Sequence, residues 1–229
     1  PIPALTLNNG VMILIISGTP SVTGQISVLQ NCSLSGTLTT AGGVNNSGGS
    51  ITGAGKINIT GGTWQCSSTY GISCNLDFAG NSTISGVCRF GTMTLTYVSG
   101  TITTTSSTLT ISGRCTITTN NSINFNDFNG GSYTTTLGSN LSIDGDMINT
   151  STTTFTGAYV VTCSKGFTGT GTIVTASGAS IVMDGTGTIN TGMRFNGTFS
   201  INTATTITIT TDLWLTGGSF SYVAGTLAG

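Results

Sequence analysis

Residues 108–121 read TLTISGRCTITTNN, and two other stretches restate the theme, STISGVCRFGT at 82–92 and NLSIDGDMINT at 140–150. Leu109, Ile111, Cys115 and Ile117 alternate with Thr108, Thr110, Thr116 and Thr118, the period of two that puts apolar groups on one face of a strand and hydroxyls on the other. Gly113 interrupts the alternation where a turn is needed. Written as aliphatic, x, Gly, x, small or apolar, the motif starts at Ile84, Ile111, Ile143 and Met183, in steps that lengthen along the chain.

A second theme, an apolar strand followed by Gly and an aromatic or Ile, recurs out of phase with the first. It occurs as INITGGTW at 57–64, LTYVSGTI at 95–102, FNDFNGGSY at 125–133, FTGAY at 155–159, FNGTF at 195–199 and LWLTGGSF at 213–220. Units of roughly 30 residues with two or three short strands predict an all-β parallel β-helix, or solenoid, with coils of about 30 residues stacked at the ~4.8 Å strand spacing. The unequal steps predict insertions looping out, chiefly within 145–185. The competing architecture is an antiparallel β-sandwich or tandem Ig-like domains. Against it, Trp64 and Trp214 do not lie between two Cys at immunoglobulin spacing.

Composition agrees with stacked coils. Charged residues make up 5% of the 229 positions, Glu occurs nowhere and His is absent, while 48 Thr, 27 Ser and 18 Asn supply the polarity. Identical residues stack one above another in a solenoid, so charges would repel at strand spacing whereas hydroxyls and amides exchange hydrogen bonds. Hydrophobic content of 37% with net charge −1 is that of a folding chain. Helix is not expected, since Thr favours strands and the charged helix formers are nearly missing. Five scattered cations cannot neutralise a row of phosphates, so nucleic acid is not an expected partner.

The longest apolar run, VMILII at 11–16, is far shorter than the ~20 residues of a membrane-spanning helix. It reads as a buried strand in a capping region over 1–30. Residues 1–229 read as one solenoid segment of a longer or processed polypeptide, starting PIPALTL and stopping inside a pattern at YVAGTLAG.

The elements TLTISGRCTI, NLSIDGDMI and NGGSYTTT over roughly 56–220 resemble the Thr/Ser/Gly/Asn-rich parallel β-helix repeats of viral and phage fibre or spike proteins and of bacterial surface adhesins. The resemblance implies a structural protein of the virion surface, the cell surface or an extracellular filament. Its implied partners are copies of itself, end to end or as trimers, other virion or surface proteins, and a host surface glycan.

Few residues offer chemistry. Asp144 and Asp146, two apart in SIDGDMI, are the catalytic pair of the rival reading, a polysaccharide-degrading β-helix enzyme, because in a strand both carboxylates would face one side. Asp-Gly is otherwise simply a turn dipeptide, repeated at Asp184-Gly185. With no His and no Glu, no enzymatic activity and no cofactor are expected.

Of the six cysteines, Cys66 and Cys74 could close a short loop as a disulfide, and Cys88 and Cys115 occupy equivalent motif positions, as in an interior ladder of free thiols. No CxxC pair exists to build a zinc site. The runs Thr101-Ile102-Thr103, Thr116-Ile117-Thr118 and Thr206–Thr210 are similar to the flat arrays of ice-binding solenoids, the second rival, although Thr is frequent enough for ordinary strand surface. Among eight N-x-S/T sequons, Asn58, Asn81, Asn140 and Asn196 are candidate glycan acceptors. Tyr97, Phe128, Tyr133 and Trp214 could stack on sugars, or else pack into core and turns.

Overall fold

The computed structural model describes residues 2–8, 12–15, 18–190, 194–210 and 212–229, without the side chains of residues 12, 13 and 204. Among them every element is a strand, and the parallel sheets stack as a β-solenoid of about 11 turns. Among the described residues, no helix is long and apolar enough to cross a membrane. The chain divides into two compact units, residues 1–107 and 108–229.

In the first unit each coil passes three faces. The first face stacks Leu5–Leu7, Ile26–Val28, Gly43–Asn45, Gly62–Gln65 and the start of Ser82–Phe90. The second holds Met12–Ile15, Cys32–Ser35 and Ile51–Thr52, continued by single-residue bridges through Ile72 to Phe90. Ser21–Val22, Thr37–Thr40, Lys56–Ile59, Asn75–Ala79 and Met93–Ser99 form the third. In-register pairing places Ile26, Val44, Trp64 and Ile84 in one interior column and Leu38, Ile57, Leu76 and Leu95 in another, all buried. The alternation read from the sequence is what fills these columns, because every second side chain of a strand points inward.

The second unit repeats the plan. One interior column runs Leu109, Phe128, Met147, Phe167 and Ile189, and another Phe125, Ile143, Cys163, Met183 and Ile201. The remaining face stacks Cys115–Thr118, Thr134–Leu137, Thr152–Thr156, Thr172–Ala176, Arg194–Asn196 and Trp214–Gly217. Phe167, Phe195 and Phe199 meet in the interior, the last two stacked with ring centroids 4.2 Å apart.

The coil is shorter than the motif spacing predicts. Ile26 pairs with Val44, Trp64 with Ile84 and Phe167 with Ile189. Three strands of a few residues and three tight corners thus complete a turn in roughly 20 residues, the lower end of the range for solenoid repeats. The long step from Ile143 to Met183 is therefore two ordinary coils with Cys163 between them, and no insertion loops out of 145–185. Ile111 belongs to a different corner from Ile143, since Gly113 leads into the strand Cys115–Thr118 whereas Gly145 leads into Asp146–Asn149. The described strand pairs are parallel throughout, which excludes the antiparallel sandwich and Ig-like alternatives.

The apolar run near the start also departs from expectation. Met12–Ile15 is an ordinary second-face strand paired with Cys32–Ser35, and Ile15 is 77% exposed, so it is not a fully buried cap. Residues 11 and 16 lie outside the described residues.

Corners explain the glycine content. Gly43 and Gly62 both have positive φ, and a Cβ on Gly62 would collide with the main chain of Gly42 in the coil below. Only a residue without a side chain allows both that conformation and that approach.

Where the main chain turns and its ladder is interrupted, polar side chains extend it. Asn31, Asn75 and Asn81 each accept, through Oδ1, a main-chain N–H of the next coil, from Ser50, Thr94 and Thr101 at 2.8–3.1 Å. In the second unit Asp127 accepts from Asp146, Asn140 from Val160, and Thr175 Oγ1 from Thr198. These contacts satisfy amides that the turn would otherwise leave unpaired. They account physically for the abundance of Asn at corners.

Candidate functional site

On the second unit, register aligns Thr116, Thr136 and Thr156 in one outward column and Thr134 with Thr154 in another. Thr156 Oγ1 donates to Thr136 Oγ1 at 3.3 Å, linking two hydroxyls of the column. It ends one coil later, where Val174 and Ala176 take the positions above Thr154 and Thr156. A groove of about 310 Å³ lies on this face between Arg114, Thr116, Thr134 and Thr136. On the first unit a comparable groove of about 330 Å³ is lined by Thr63, Asn81, Thr83, Thr101 and Thr103. The first-unit groove is an open surface of hydroxyls and the Asn81 amide, and the second-unit groove one of hydroxyls beside the Arg114 guanidinium.

The carboxylates do not form the arrangement expected of a catalytic pair in one strand. Asp144 follows the strand Leu141–Ile143 and Asp146 opens the strand Asp146–Asn149, with the corner at Gly145 between them. They therefore belong to two faces. The Asp146 amide donates to the Asp127 carboxylate of the preceding coil, and Asp184, two coils beyond Asp144, accepts a hydrogen bond from Ser164 at 2.8 Å, so Asp127 and Asp184 each stabilise a turn. Elsewhere Asp77 pairs with Lys56 of the preceding coil at 2.7 Å, a surface contact.

Both cysteine expectations are overturned. Cys66 is bonded to Cys88, not to Cys74, and Cys88 is consequently not a free thiol stacked with Cys115. The reason is the coil length. Cys66 and Cys74 lie at opposite ends of one face, while Cys66 and Cys88, at a sequence separation of 22, come to the same side of successive coils. Cys32, Cys74, Cys115 and Cys163 are free and buried. Burial pushes the Cys74 thiol up to about 12, with the neighbouring Cys32 adding to it, and raises Cys115 and Cys163 to about 11. Thiols held so firmly protonated are inert packing groups, not nucleophiles.

Of the candidate glycan acceptors, Asn81 and Asn196 are exposed and Asn58 and Asn140 half-buried. Asn81 and Asn140 also serve as corner acceptors through Oδ1, a role the sequon pattern gives no hint of. The aromatics separate as well. Phe128 is fully buried and belongs to the core, the Tyr97 hydroxyl donates to Gly100 O within its own turn, and Tyr133 and Trp214 remain substantially exposed. Arg194 covers the Trp214 ring with its guanidinium 5.5 Å from the centroid.

Sequence reasoning missed two buried polar centres. Asn46 accepts from Trp64 Nε1 at 3.3 Å and donates to Tyr70 O at 3.1 Å, tying three segments of the first unit together. Asn149, fully buried, donates to Ser151 O and Thr172 O and accepts from Thr153 Oγ1. Nothing in its local sequence marks it as a buried polar centre, and only coil register reveals it as interior. Comparison with protein-family models, with curated proteins and with solved structures returns no match.

Proposed function

We propose that the chain is a structural, non-enzymatic segment of an exterior assembly, a virion fibre or spike or an extracellular filament, that also offers a surface for attachment. The observation carrying this reading is the in-register hydroxyl surface over closely packed parallel coils in each unit. Main-chain ladders between coils resist local opening, and the interior columns leave little flexible chain for proteases. A surface of Thr, Ser and Asn makes contacts that depend little on salt, since screening acts only on charge. The grooves beside Thr63 and Thr83, and beside Thr134 and Thr136, suit a neutral hydroxyl-rich partner such as a surface glycan. Self-association and contacts with other surface proteins belong to the same reading.

Immunogold labelling of intact source particles or cells with antibody raised against the purified chain tests the location. Dense labelling without permeabilisation is expected. Labelling that requires permeabilisation refutes an exterior role.

A second reading, ice binding, is favoured by the aligned columns Thr116, Thr136, Thr156 and Thr134, Thr154. Thermal hysteresis decides it, and Thr136→Leu would abolish the effect if the columns were the ice-binding face.

A further inference from the structure

We propose that the Cys66–Cys88 disulfide is a redox-operated latch over the seam of the first unit, and that its reduction opens residues 67–71 while the rest of the unit stays folded. On the second face, strands Cys32–Ser35 and Ile51–Thr52 pair normally, but the following coil contributes only the single-residue bridge at Ile72 before Phe90 is reached. Between Cys66 and Ile72 the chain departs from the ladder. Tyr70 O is held by Asn46, and Gly71 bonds to Ser50 Oγ and Ile51 N, all in the preceding coil. Toward the following coil, the main-chain bonds among the described residues are made by the flanks, with Cys66 N–H donating to Ser85 O, Ile72 N–H to Arg89 O and Gly91 N–H to Ile72 O. Residues 67–71 have none there, and the covalent link from Cys66 to Cys88 closes the gap.

The aromatic packing lies directly behind this link. Trp64, two residues before Cys66, stacks on Phe90, two residues after Cys88, with centroids 5.6 Å apart and rings 2° from parallel. Trp64 also contacts Phe78, and both rings are fully buried. The disulfide thus joins the two strand ends that carry the stacked Trp64 and Phe90 rings.

The two sulfurs differ in access, since Cys66 is half-buried and Cys88 fully buried. A dithiol reductant would attack Cys66 Sγ as its thiolate, forming a mixed disulfide and expelling the Cys88 thiolate, which takes up a proton. Its second thiol then displaces Cys66, which is protonated in turn, and the reductant leaves as a cyclic disulfide. The protein gains two electrons and two protons.

The test treats the native chain with dithiothreitol and follows chymotryptic cleavage after Tyr70 together with iodoacetamide labelling. Reduction is expected to accelerate cleavage at Tyr70 at least 10-fold. Labels should appear on Cys66 and Cys88 while Cys32, Cys74, Cys115 and Cys163 stay protected, and reoxidation should restore resistance. C66S/C88S should show the open behaviour without reductant.

Three results overturn the proposal. One is unchanged Tyr70 cleavage with Cys66 and Cys88 both labelled. Another is labelling of Cys32 and Cys74 as fast as of Cys66, which would mean that the unit opens as a whole. The third is a native protein with all six cysteines free.

Discussion

Residues 199–201 give the sharpest test of the inward–outward pattern. Phe199 and Ile201 are fully buried and Ser200 between them faces out. Phe199 stacks on Phe195 at 4.2 Å, meets Phe167 edge-on at 5.7 Å and touches Phe220 at 5.8 Å. Truncating a buried Phe to Ala typically costs about 3–5 kcal/mol through lost transfer energy and the cavity left behind. Each well-placed ring pair adds roughly 0.5–1.5 kcal/mol. The upper part of the first range is therefore expected for Phe199→Ala, because three rings lose a partner and a closed interior column can relax little. Phe199→Leu retains most of the volume and should cost about 1–2 kcal/mol. Ser200→Ala should stay within about 0.5 kcal/mol, as outward substitutions usually do.

Hydrogen exchange read by mass spectrometry on peptides from the second unit is the appropriate assay, since repeat stacks respond locally to a damaged coil. Phe199→Ala should accelerate exchange in its own strand, Thr198–Ile209, and in the partner strands Ser180–Met183 and Phe220–Ala228 far more than in Cys115–Thr118. Equal effects of Phe199→Ala and Ser200→Ala would refute the inward assignment and, with it, the column packing.

Other outcomes follow from the same geometry. Asn46→Ala leaves the buried Trp64 Nε1 without its acceptor and should destabilise the first unit by about 1–3 kcal/mol, seen as a lower urea midpoint for the Trp64 fluorescence change. Gly187→Ala should disrupt folding of its coil, because the new Cβ would overlap the carbonyl oxygen of Lys165; loss of protease resistance around 165–187 checks it. The contribution of the buried thiols to stability should be fully present below about pH 9 and fall as the pH rises from about 9 to about 12. There the unfolded thiols ionise while Cys74, Cys115 and Cys163 stay protonated in the fold, so unfolding releases protons. Cys74→Ala should flatten that decline in urea titrations on either side of it.

The strand alternation was legible because its period is local. Leu109, Ile111, Cys115 and Ile117 all proved buried, as their spacing from the intervening threonines required. Coil length was not legible from motif starts. Three corners per coil tolerate similar Gly-containing sequences, so Ile111 and Ile143 read as equivalents although they lead into different faces. The error propagated to the cysteines, since the observed coil points from Cys66 to Cys88 and the longer one does not. Asp144 and Asp146 were likewise read as one strand because a corner glycine between two polar residues resembles a strand interruption. The second polar role of Asn81 and Asn140, as acceptors for the next coil, depends on what lies one coil away, which no local window contains.

The coil period itself is open to a direct measurement by paired cysteine substitution on the outer face. Thr116 and Thr136 are partners across one coil, so their Cα atoms lie about 4.8 Å apart, within the ~4.4–6.8 Å that a disulfide spans. Thr116→Cys with Thr136→Cys should cross-link on mild oxidation of the native protein. Thr116→Cys with Ile148→Cys, the partners that the motif step from Ile111 to Ile143 would bring together, should not. Cross-linking of the second pair in place of the first would contradict the short-coiled parallel stack.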